Sequence, residues 1–559
     1  MTVKKITTEF GHTLPPVGPH NITVHGAGWD VGLALRDGDM SLLQKMKSIY
    51  PRFTPFGAAR QLSMAIHQKL SFPPTHGCLP FVNPDIFSMA QEFAFSHHRK
   101  EHKLEPSDLL FKVVDISGVR LYCIGYPMPK TPGIIGVWQN PGTGVSSRLA
   151  EHLLKQADTL VEVPASASAD AEITLDKLPA PTYLPESAAH QGLRDRIAGL
   201  MNRAPVASHK ANVKSEDVYL YPTGMAAVHR LHQAIMQTRR GTVVGLGAIF
   251  HNTYHLFLEF PDGFKHFGQC NAQSGIIGEV EAHIKAEAEA GRKVSYVFVE
   301  FPSNPILVSV DLKGLRQLAD KHGFLLVVDD TVGSFCNIDL LPVADVVLTS
   351  LTKSFSGYAN VMGGSVVLNP SSPSYPTLSK VFQSTFHNEF FSGDAEQLLA
   401  NSTDYLTRST ILNRNAAALA SLLQSHIRSP APSAVTQVLY PSHSDTHANY
   451  TALMRPATAE FTPGYGCLLS IDFADSAVAR EFYDKLQVHQ GPHLGAHLTL
   501  ALNFNDIVWG KPEDEAKYHA GYGLRAAQVR VSVGLEEEAE LVEVFEEALK
   551  FAEEAVGKN

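Results

Sequence analysis

Two short apolar runs, each followed at once by polar side chains, constrain the fold of this chain more than any other feature. Residues 324–328 read Phe-Leu-Leu-Val-Val and end at Asp329, and residues 345–348 lead into Ser350 and Lys353. Runs of this length without alternation are typical of strands buried on both faces of a parallel sheet. The carboxyl ends of such strands share one edge of the sheet, where ligands of open α/β sheets bind. The pattern therefore predicts an α/β fold in which an acid, a hydroxyl and a lysine meet at one crevice.

The groups predicted at this edge suit pyridoxal phosphate, a cofactor that needs an amine, an acid and a phosphate site. Lys353 would form the Schiff base with the cofactor aldehyde, and Asp329 would keep the pyridine nitrogen protonated so that the ring can accept electrons. Ser350 and Thr352 could hydrogen-bond the phosphate. A surface lysine after an ordinary buried strand is the alternative interpretation, and this pattern alone leaves both open.

Several segments also carry a family resemblance. VVDDT at residues 327–331 and SLTKSFSGYANVMGG at 350–364 resemble the cofactor segment of the Cys/Met-metabolism enzymes, which include cystathionine γ-synthase and methionine γ-lyase. KMKSIYPRF at 45–53, VYLYPTGMAAVHRLHQAI at 218–235 and GPHLGAHLTL at 491–500 resemble the fungal type of cystathionine γ-synthase. The resemblance covers nearly all of the chain. It implies the pyridoxal phosphate fold type I, with a mostly parallel mixed sheet in a large domain and a smaller α+β domain after it.

The chain is too long for a single core, and its pattern changes three times. Residues 1–163 are mixed and form an extra N-terminal region, followed by a linker at 164–182 that is rich in small residues and proline. From 183 to 395 strands alternate with helices, which predicts the large cofactor-binding domain. Residues 396–559 return to an α+β pattern and form the C-terminal domain.

A phosphate site is predicted where a strand turns into a helix at Thr223. Thr223 has the character of an N-cap, and Gly224 and Met225 would open the helix behind it. A glycine lets a phosphate approach the backbone N–H groups, and the helix dipole favours an anion there. The pattern alone indicates only a capped helix. Resemblance to the family's S-x-G-M-A-A loop implies that the backbones of Gly224 and Met225 bind the cofactor phosphate.

Two residues depart from the family pattern close to the predicted cofactor. Phe250 stands where the family places the Tyr that stacks on the cofactor ring, and Asp330 replaces a customary Asn. A phenyl ring can stack but cannot donate a proton to a departing substituent. Tyr254 is a candidate replacement for the missing acid. The G-x-G at 245–247 lacks the third glycine of a dinucleotide fingerprint, so a Rossmann interpretation is weak.

Three further residues are assigned through the resemblance. Asn304 matches the Asn that hydrogen-bonds the cofactor O3′, although it is otherwise an ordinary turn residue before proline. Arg530 matches the arginine that clamps the substrate carboxylate, although a strand's solvent face is the alternative. His493 replaces a Ser near that carboxylate and could titrate near neutral pH. Relatives also lend a Tyr/Arg segment to the neighbouring subunit's phosphate, but residues 183–190 at that place contain no arginine.

The amino-acid composition limits the classes of molecule that this chain is expected to bind. With 44% hydrophobic residues and a net charge of -10, the chain is typical of a soluble globular protein that does not bind nucleic acid. Five scattered cysteines without a CxxC pair indicate a reducing compartment, and no run reaches membrane-spanning length, so a cytoplasmic protein is predicted. Residues 96–102, Ser-His-His-Arg-Lys-Glu-His, lack a further ligand that would complete a metal site, and a solvated basic face is favoured.

The resemblance implies γ-replacement on an activated homoserine, such as O-acetyl-L-homoserine. Arg530 would hold the substrate carboxylate while Lys353, displaced by the substrate amine, removes the Cα proton. A thiol such as cysteine, or a carbon nucleophile such as a β-keto acid, would then replace the γ-substituent. Elimination to a 2-oxo acid and a non-catalytic cofactor-binding regulator are the alternatives. The family also assembles as homodimers or homotetramers, which the resemblance implies here.

Overall fold

The computed structural model of the chain describes residues 5–165, 167–428 and 433–556. Ser166 of the predicted linker and the C-terminal residues 557–559 lie outside the described residues. Within the described ranges, the strands form a four-stranded, a seven-stranded and a five-stranded sheet. Most of the predicted functional residues lie at or just beyond strand ends of the second sheet, and Arg530 lies in a strand of the third.

The N-terminal region contains an antiparallel sheet of its own, in the order β1-β3-β2-β4. Its core is apolar and includes the buried rings of Phe87 and Tyr122. The elements of this region are α1 (Trp29–Arg36), α2 (Met40–Leu43), α3 (Ala58–Lys69), β1 (His76–Phe81), α4 (Ile86–Ala94), β2 (Leu110–Ile116), β3 (Val119–Pro127), α5 (Gly136–Gln139), α6 (Ser147–Leu154) and β4 (Val161–Val163).

The predicted linker at 164–182 packs against this unit. Ala169 and Leu178 are buried in its core, and the side-chain amide of Gln91 donates a hydrogen bond to the carbonyl of Ala169 at 3.0 Å. Small residues and prolines indicated a flexible tether, but they also let a chain lie flat on a neighbouring surface. The segment is therefore attached to the N-terminal sheet along part of its length.

Residues 5–50 take a separate path over the C-terminal part of the chain. Trp29 is buried in the core of that part, and its backbone N–H donates to Asp484 Oδ1 at 2.8 Å. The backbone N–H of Gly26 donates to the carbonyl of Gln490 at 2.7 Å. These contacts direct the chain toward the large sheet and deliver Tyr50 to its edge.

The large domain is built on the strand order β5-β11-β10-β9-β8-β6-β7, in which β11 alone runs antiparallel to its neighbours. Leu326 and Val328 of β9 enter one core, whereas Leu325 and Val327 enter the core on the other face. The predicted mostly parallel mixed sheet is confirmed. The elements are α7 (Ala188–Asn202), β5 (Val218–Tyr221), α8 (Gly224–Thr238), β6 (Thr242–Leu246), α9 (His251–Leu258), β7 (Phe264–Phe267), α10 (Ile276–Glu289), β8 (Val294–Glu300), α11 (Leu312–His322), β9 (Leu325–Asp329), β10 (Val346–Thr349), β11 (Gly364–Leu368), α12 (Tyr375–Thr385) and α13 (Ser392–Asn401).

The C-terminal domain carries the third sheet, of order β12-β13-β16-β15-β14. Arg530 lies in the central strand β16 and is 2% exposed, so it does not belong to a solvent face. No helix in the described ranges is long and apolar enough to cross a membrane. The elements are α14 (Tyr405–Ile427), β12 (Val435–Leu439), α15 (His447–Thr451), β13 (Leu468–Phe473), α16 (Ser476–Lys485), β14 (His489–Gln490), β15 (Leu500–Leu502), α17 (Phe504–Val508), α18 (Glu513–Ala520), β16 (Gln528–Ser532) and α19 (Glu538–Val556).

Candidate active site

A cleft lies where the strand ends of the large sheet face the C-terminal domain and the chain around Tyr50. Most of the residues predicted from the sequence line it, although they come from distant parts of the chain. The predicted residues in the lining are Gly224, Met225, Phe250, Asn304, Asp329, Ser350, Lys353 and Arg530.

The N-terminus of α8 and Ser350 form an anion cradle at one end of the cleft. Thr223 is the predicted N-cap, since its hydroxyl accepts a hydrogen bond from the backbone N–H of Ala226 at 2.9 Å. The first N–H groups of a helix have no intrahelical acceptor, and here they belong to Gly224 and Met225. A Cβ added to Gly224 would lie 2.7 Å from the Cβ of Ser350. Glycine is therefore needed for the close approach of α8 to Ser350, and the free N–H groups at this helix N-terminus suit a phosphate group.

Arg52 supplies a buried positive charge that the sequence did not reveal. Its guanidinium is 4% exposed and donates to the carbonyl of Gln139 at 2.7 Å and to Asn252 Oδ1 at 3.4 Å, both of which are neutral. Among the described residues, no carboxylate forms an ion pair with it. Burying an uncompensated charge is costly, so this guanidinium fits an anionic ligand group such as a phosphate.

Thr352 does not take part in this cradle. Its hydroxyl donates to the carbonyl of Gly363 and accepts from the backbone N–H of Gly363, at 3.1 Å in each case. The side chain is buried and does not line the cleft. The hydroxyl that the sequence assigns to the phosphate is thus engaged by Gly363, and Thr352 anchors the Lys353 loop to the start of β11.

Two carboxyl groups lie side by side where β8 and β9 end, because Glu300 is the register partner of Asp329. Glu300 accepts hydrogen bonds from the backbone N–H groups of Phe250 at 2.5 Å and Asn304 at 3.3 Å. Burial raises the pKa of Asp329 to about 6, and burial together with the nearby Asp329 raises the pKa of Glu300 well above its ordinary value. At neutral pH the pair therefore favours one negative charge, on Asp329, and a cationic ring nitrogen beside it would be stabilised.

In the cofactor-free protein, we expect Asp329→Asn to raise stability above pH 6. The folded pKa of about 6 exceeds the ordinary value of 3.8, so the fold disfavours the ionised carboxylate. This penalty is absent below the unfolded pKa and grows to about 3 kcal/mol as pH rises through the folded pKa. Thermal unfolding of cofactor-free wild type and variant at pH 4 and pH 8 measures the difference, which should appear only at pH 8.

Asp330→Asn is the matched control, because Asp330 adjoins Asp329 but lies outside the cleft lining. Burial raises the pKa of Asp330 to about 7, and Asn can still accept the hydrogen bond that Thr349 Oγ1 donates at 2.6 Å. Both variants should gain stability at pH 8, but only Asp329→Asn should lose affinity for pyridoxal phosphate. Equal cofactor affinities in the two variants would contradict the assignment of Asp329 to the ring nitrogen.

Lys353 reaches the centre of the cleft from the loop after β10, as the sequence predicts. Its Nζ lies 3.5 Å from the hydroxyl of Tyr50 and 4.9 Å from the centre of that ring. Burial lowers the pKa of Lys353, and the positive charges of Arg52 and Arg530 lower it further. A lysine of lowered pKa is more readily available as a free amine at neutral pH, which suits a nucleophile or a base.

Arg530 also lines the cleft and holds Asn304 in place. It donates to Asn304 Oδ1 at 3.2 Å and to the carbonyl of Pro492 at 2.6 Å, and its guanidinium lies 4.3 Å from the ring centre of Phe504. Burial lowers its pKa to about 9. No acid pairs with Arg530 within the described ranges. An anionic ligand group would therefore stabilise this second buried cation.

The pKa of His493 and the position of Tyr254 differ from what the sequence predicts. The His493 carbonyl, rather than its ring, approaches Arg530, and both ring nitrogens lack a hydrogen-bond partner among the described residues. Burial, with the charges of Lys353 and Arg530, lowers the pKa of His493 well below 6.5, so titration near neutral pH is wrong. Tyr254 packs against Trp509 outside the cleft and is no acid for it.

Among the lining residues that the sequence did not single out, Tyr50, Arg52 and Glu300 carry ionisable side chains. Glu300 ends an apolar strand just as Asp329 does, and this shared pattern could have identified it. Tyr50-Pro51-Arg52 contains the Tyr and Arg pair that the family resemblance implies and that residues 183–190 do not contain together. This pair lies within residues 45–53, a segment that resembles the fungal relatives.

The fold and the cleft define a pyridoxal phosphate-dependent enzyme of fold type I. The family described as Cys/Met metabolism PLP-dependent enzymes matches residues 208–550, and the chain belongs to this family. Its cofactor is therefore pyridoxal phosphate, for which the anion cradle, the Asp329 carboxylate and the Lys353 amine fit.

Relatives of several activities resemble the chain. It is 32% identical to the cystathionine gamma-synthase-like enzyme iboG1 of Amanita muscaria, over 98% of each chain. It is 36% identical to the alanine racemase ungC of Aspergillus violaceofuscus, over 77% of this chain and 74% of the relative. The crystal structure of cystathionine gamma synthase from Xanthomonas oryzae pv. oryzae, in complex with aminoacrylate and cysteine, matches with a TM-score of 0.51 and 22% identity, covering 66% of this chain and 99% of that one. This likeness supports the fold.

Proposed function

We propose that the protein catalyses γ-replacement on an activated homoserine, such as O-acetyl-L-homoserine, with a thiol or carbon nucleophile. The observation that carries the proposal is the convergence of Lys353, Asp329 and the unpaired Arg530 on one cleft. These are a base, a partner for the cofactor nitrogen and a clamp for an amino-acid carboxylate. Relatives named cystathionine gamma-synthase-like enzymes support the same class of reaction.

Each lining residue has a role that follows from its position in the cleft. Arg530 would bind the substrate carboxylate with its planar fork, and Arg52, Ser350 and the α8 amides would hold the cofactor phosphate. When bound, pyridoxal phosphate supplies an electron sink that stabilises negative charge at Cα. Lys353, displaced by the substrate amine, would take the Cα proton. Phe250 offers no proton to the γ-substituent, so an acyl ester, which leaves as a stable carboxylate, is favoured over a hydroxyl group.

Products from a panel of nucleophiles test the proposal. O-acetyl-L-homoserine is supplied with cysteine, with acetoacetate or with no nucleophile, and the products are identified by mass spectrometry. Cystathionine would indicate the thiol reaction, and a carbon-linked amino acid would indicate the β-keto acid reaction. Release of a 2-oxo acid without a nucleophile would assign elimination instead. Absence of turnover with every homoserine ester would reject γ-replacement.

A second candidate is racemisation of a small amino acid. Phe250 has no hydroxyl at the place where the family resemblance implies a Tyr, whereas groups suited to exchange a Cα proton line the cleft. A relative that is 36% identical is named an alanine racemase. Incubation of L-alanine in D₂O followed by chiral chromatography tests this candidate, since racemisation would yield deuterated D-alanine.

We also propose a homodimer or homotetramer in which each chain completes its own cleft. Tyr50 and Arg52 line the cleft that holds Lys353 of the same chain, so no neighbour has to supply a Tyr/Arg pair. We expect hybrid oligomers of Lys353→Ala and Arg52→Ala chains to remain inactive, because neither chain has an intact site. Co-expression with two affinity tags isolates the hybrids for assay.

Recovered activity in these hybrids would show that the Tyr/Arg pair crosses between subunits. In that arrangement, the wild-type Arg52 of one chain would complete the Lys353 site of the other. Hybrids of wild type with each variant provide the control, since one wild-type chain should remain active in each.

A further inference from the structure

A second cavity, here called the interdomain cavity, lies between the N-terminal region and the large domain. Helices α4 and α5 of the N-terminal region contribute one part of its lining, and α8 and α9 of the large domain contribute another. Met225 and Val228 of α8 line the active-site cleft, whereas His229 and His232 of the same helix line the interdomain cavity. The two sites share no lining residue, so a ligand in one does not occupy the other.

His229 is a buried polar group of this cavity that has no hydrogen-bond partner. It is 5% exposed, and neither of its ring nitrogens has a partner among the described residues. Burial, together with the charge of Arg230, lowers the pKa of His229 to about 3, so the ring is neutral at pH 7. A neutral imidazole has one N–H donor and one nitrogen acceptor, and leaving both unpaired in a buried place is costly. A ligand that hydrogen-bonds this ring would therefore be stabilised.

The charged groups around the interdomain cavity disfavour an anionic ligand. Among its described lining residues none is Lys or Arg, and the two acids are Glu92 and Glu259. Glu259 is paired with Arg99, and Glu92 is exposed to solvent, so neither acid requires a cationic ligand. Arg230, which follows His229, is already paired with Asp85. These charges favour a ligand that is neutral.

Aromatic and aliphatic side chains supply most of the remaining lining. The ring of His232 stacks on Phe260, with the ring centres 3.4 Å apart and an angle of 7° between the planes. Phe93 adds a further ring to the lining. Flat rings of this kind favour a planar ligand, which gains stacking and dispersion contacts with them. The other apolar lining residues are Met89, Val137, Pro141, Leu256, Leu258 and Pro261.

We propose that the interdomain cavity binds a small, neutral heteroaromatic molecule whose ring nitrogens hydrogen-bond His229. Either nitrogen of His229 can carry the proton, so a ring that has both a donor and an acceptor fits both tautomers. The lining rings and aliphatic side chains would hold the faces of the ligand. This binding does not depend on γ-replacement, because no residue of the active-site cleft takes part in it.

Three probe molecules test the chemical class of the ligand. Benzimidazole is neutral at pH 8 and has a ring donor and a ring acceptor, indene is a bicycle of the same size without nitrogen, and benzoate is an aromatic anion. Each probe is titrated by ligand-observed NMR into the protein saturated with pyridoxal phosphate. Benzimidazole should bind about tenfold more tightly than indene or benzoate, which is the effect of a hydrogen bond made in a buried place.

Three variants locate the bound probe. His229→Phe keeps an aromatic ring but removes both nitrogens, so it should weaken benzimidazole binding by about tenfold and leave indene binding unchanged. Leu258→Trp fills the interdomain cavity from its partly exposed edge and should weaken binding of both bicycles. His283→Phe is the matched control, because His283 also has an unpartnered ring nitrogen but lies outside the cavity lining. It should bind all probes as wild type does.

Equal benzimidazole affinity in wild type and His229→Phe would overturn the proposal, and so would unchanged affinity in Leu258→Trp. Benzoate that binds as tightly as benzimidazole would contradict the neutral class of ligand. Benzimidazole binding that is lost when pyridoxal phosphate is added would place the probe in the active-site cleft instead. Thermal unfolding shows whether each variant is folded. If His229→Phe is not, Leu258→Trp and the three probes on wild type decide the outcome.

Discussion

Lys353→Ala is expected to abolish turnover and to prevent covalent attachment of pyridoxal phosphate. The substitution removes both the nucleophile for the cofactor aldehyde and the proposed base for the Cα proton. Loss of a positioned base alone lowers rates by about 10² to 10⁴-fold, and loss of the covalent link adds to this. Steady-state assays give the rate, and borohydride reduction with peptide mapping shows whether position 353 carries the cofactor.

Lys353→Arg keeps a positive charge at position 353 but removes the amine that acts as nucleophile and base. Arginine keeps a positive charge near Tyr50 but cannot be deprotonated, so we expect it to be as inactive as alanine. A normal rate in either variant, or a borohydride label on another lysine, would contradict the role given to Lys353. Full biological effect of Lys353→Ala would instead favour a non-catalytic, cofactor-binding regulator.

The sequence predicted those parts of the site whose chemistry follows directly from a local pattern. The apolar runs before Asp329 and Lys353 are buried strands β9 and β10, and their register brings both side chains to one edge. Thr223 caps a helix because its side chain and the following glycine act over a single turn. In each of these cases, the interactions that determine the structure lie within a few residues.

Tyr50 and Arg52, which sequence reasoning missed, depend on long-range docking. Tyr50 reaches Lys353 because the N-terminal chain is attached to the C-terminal domain, where Trp29 is buried beside Asp484. No local periodicity in the sequence predicts that contact. The Thr352 hydroxyl was assigned wrongly for a related reason, since Gly363 engages it from eleven positions away. His493 titrates abnormally because of burial, which its neighbours in the sequence do not reveal.

Arg530→Lys is expected to lower kcat/KM by about 10² to 10³-fold, largely through binding of the substrate carboxylate. Lysine keeps the charge but loses the planar fork, so it cannot hold Asn304 and a carboxylate with the same geometry. Arg530→Met removes the charge while keeping a long apolar stem against Phe504, and it should be at least as impaired. Thermal unfolding checks that both variants remain folded. A buried unpaired cation opposes folding, so we expect the cofactor-free methionine variant to be at least as stable as wild type.

A substrate analogue shows whether the loss arises at the carboxylate. The α-carboxamide of the amino-acid substrate lacks the anion that Arg530 would pair with, so wild type should process it about as poorly as the variants do. Wild type and both Arg530 variants are assayed with acid and amide, and the coupling between substitution and substrate is calculated from the four rates. If the variants lose as much activity toward the amide as toward the acid, Arg530 supports the fold of the cleft through Asn304 and Pro492 and does not bind the carboxylate.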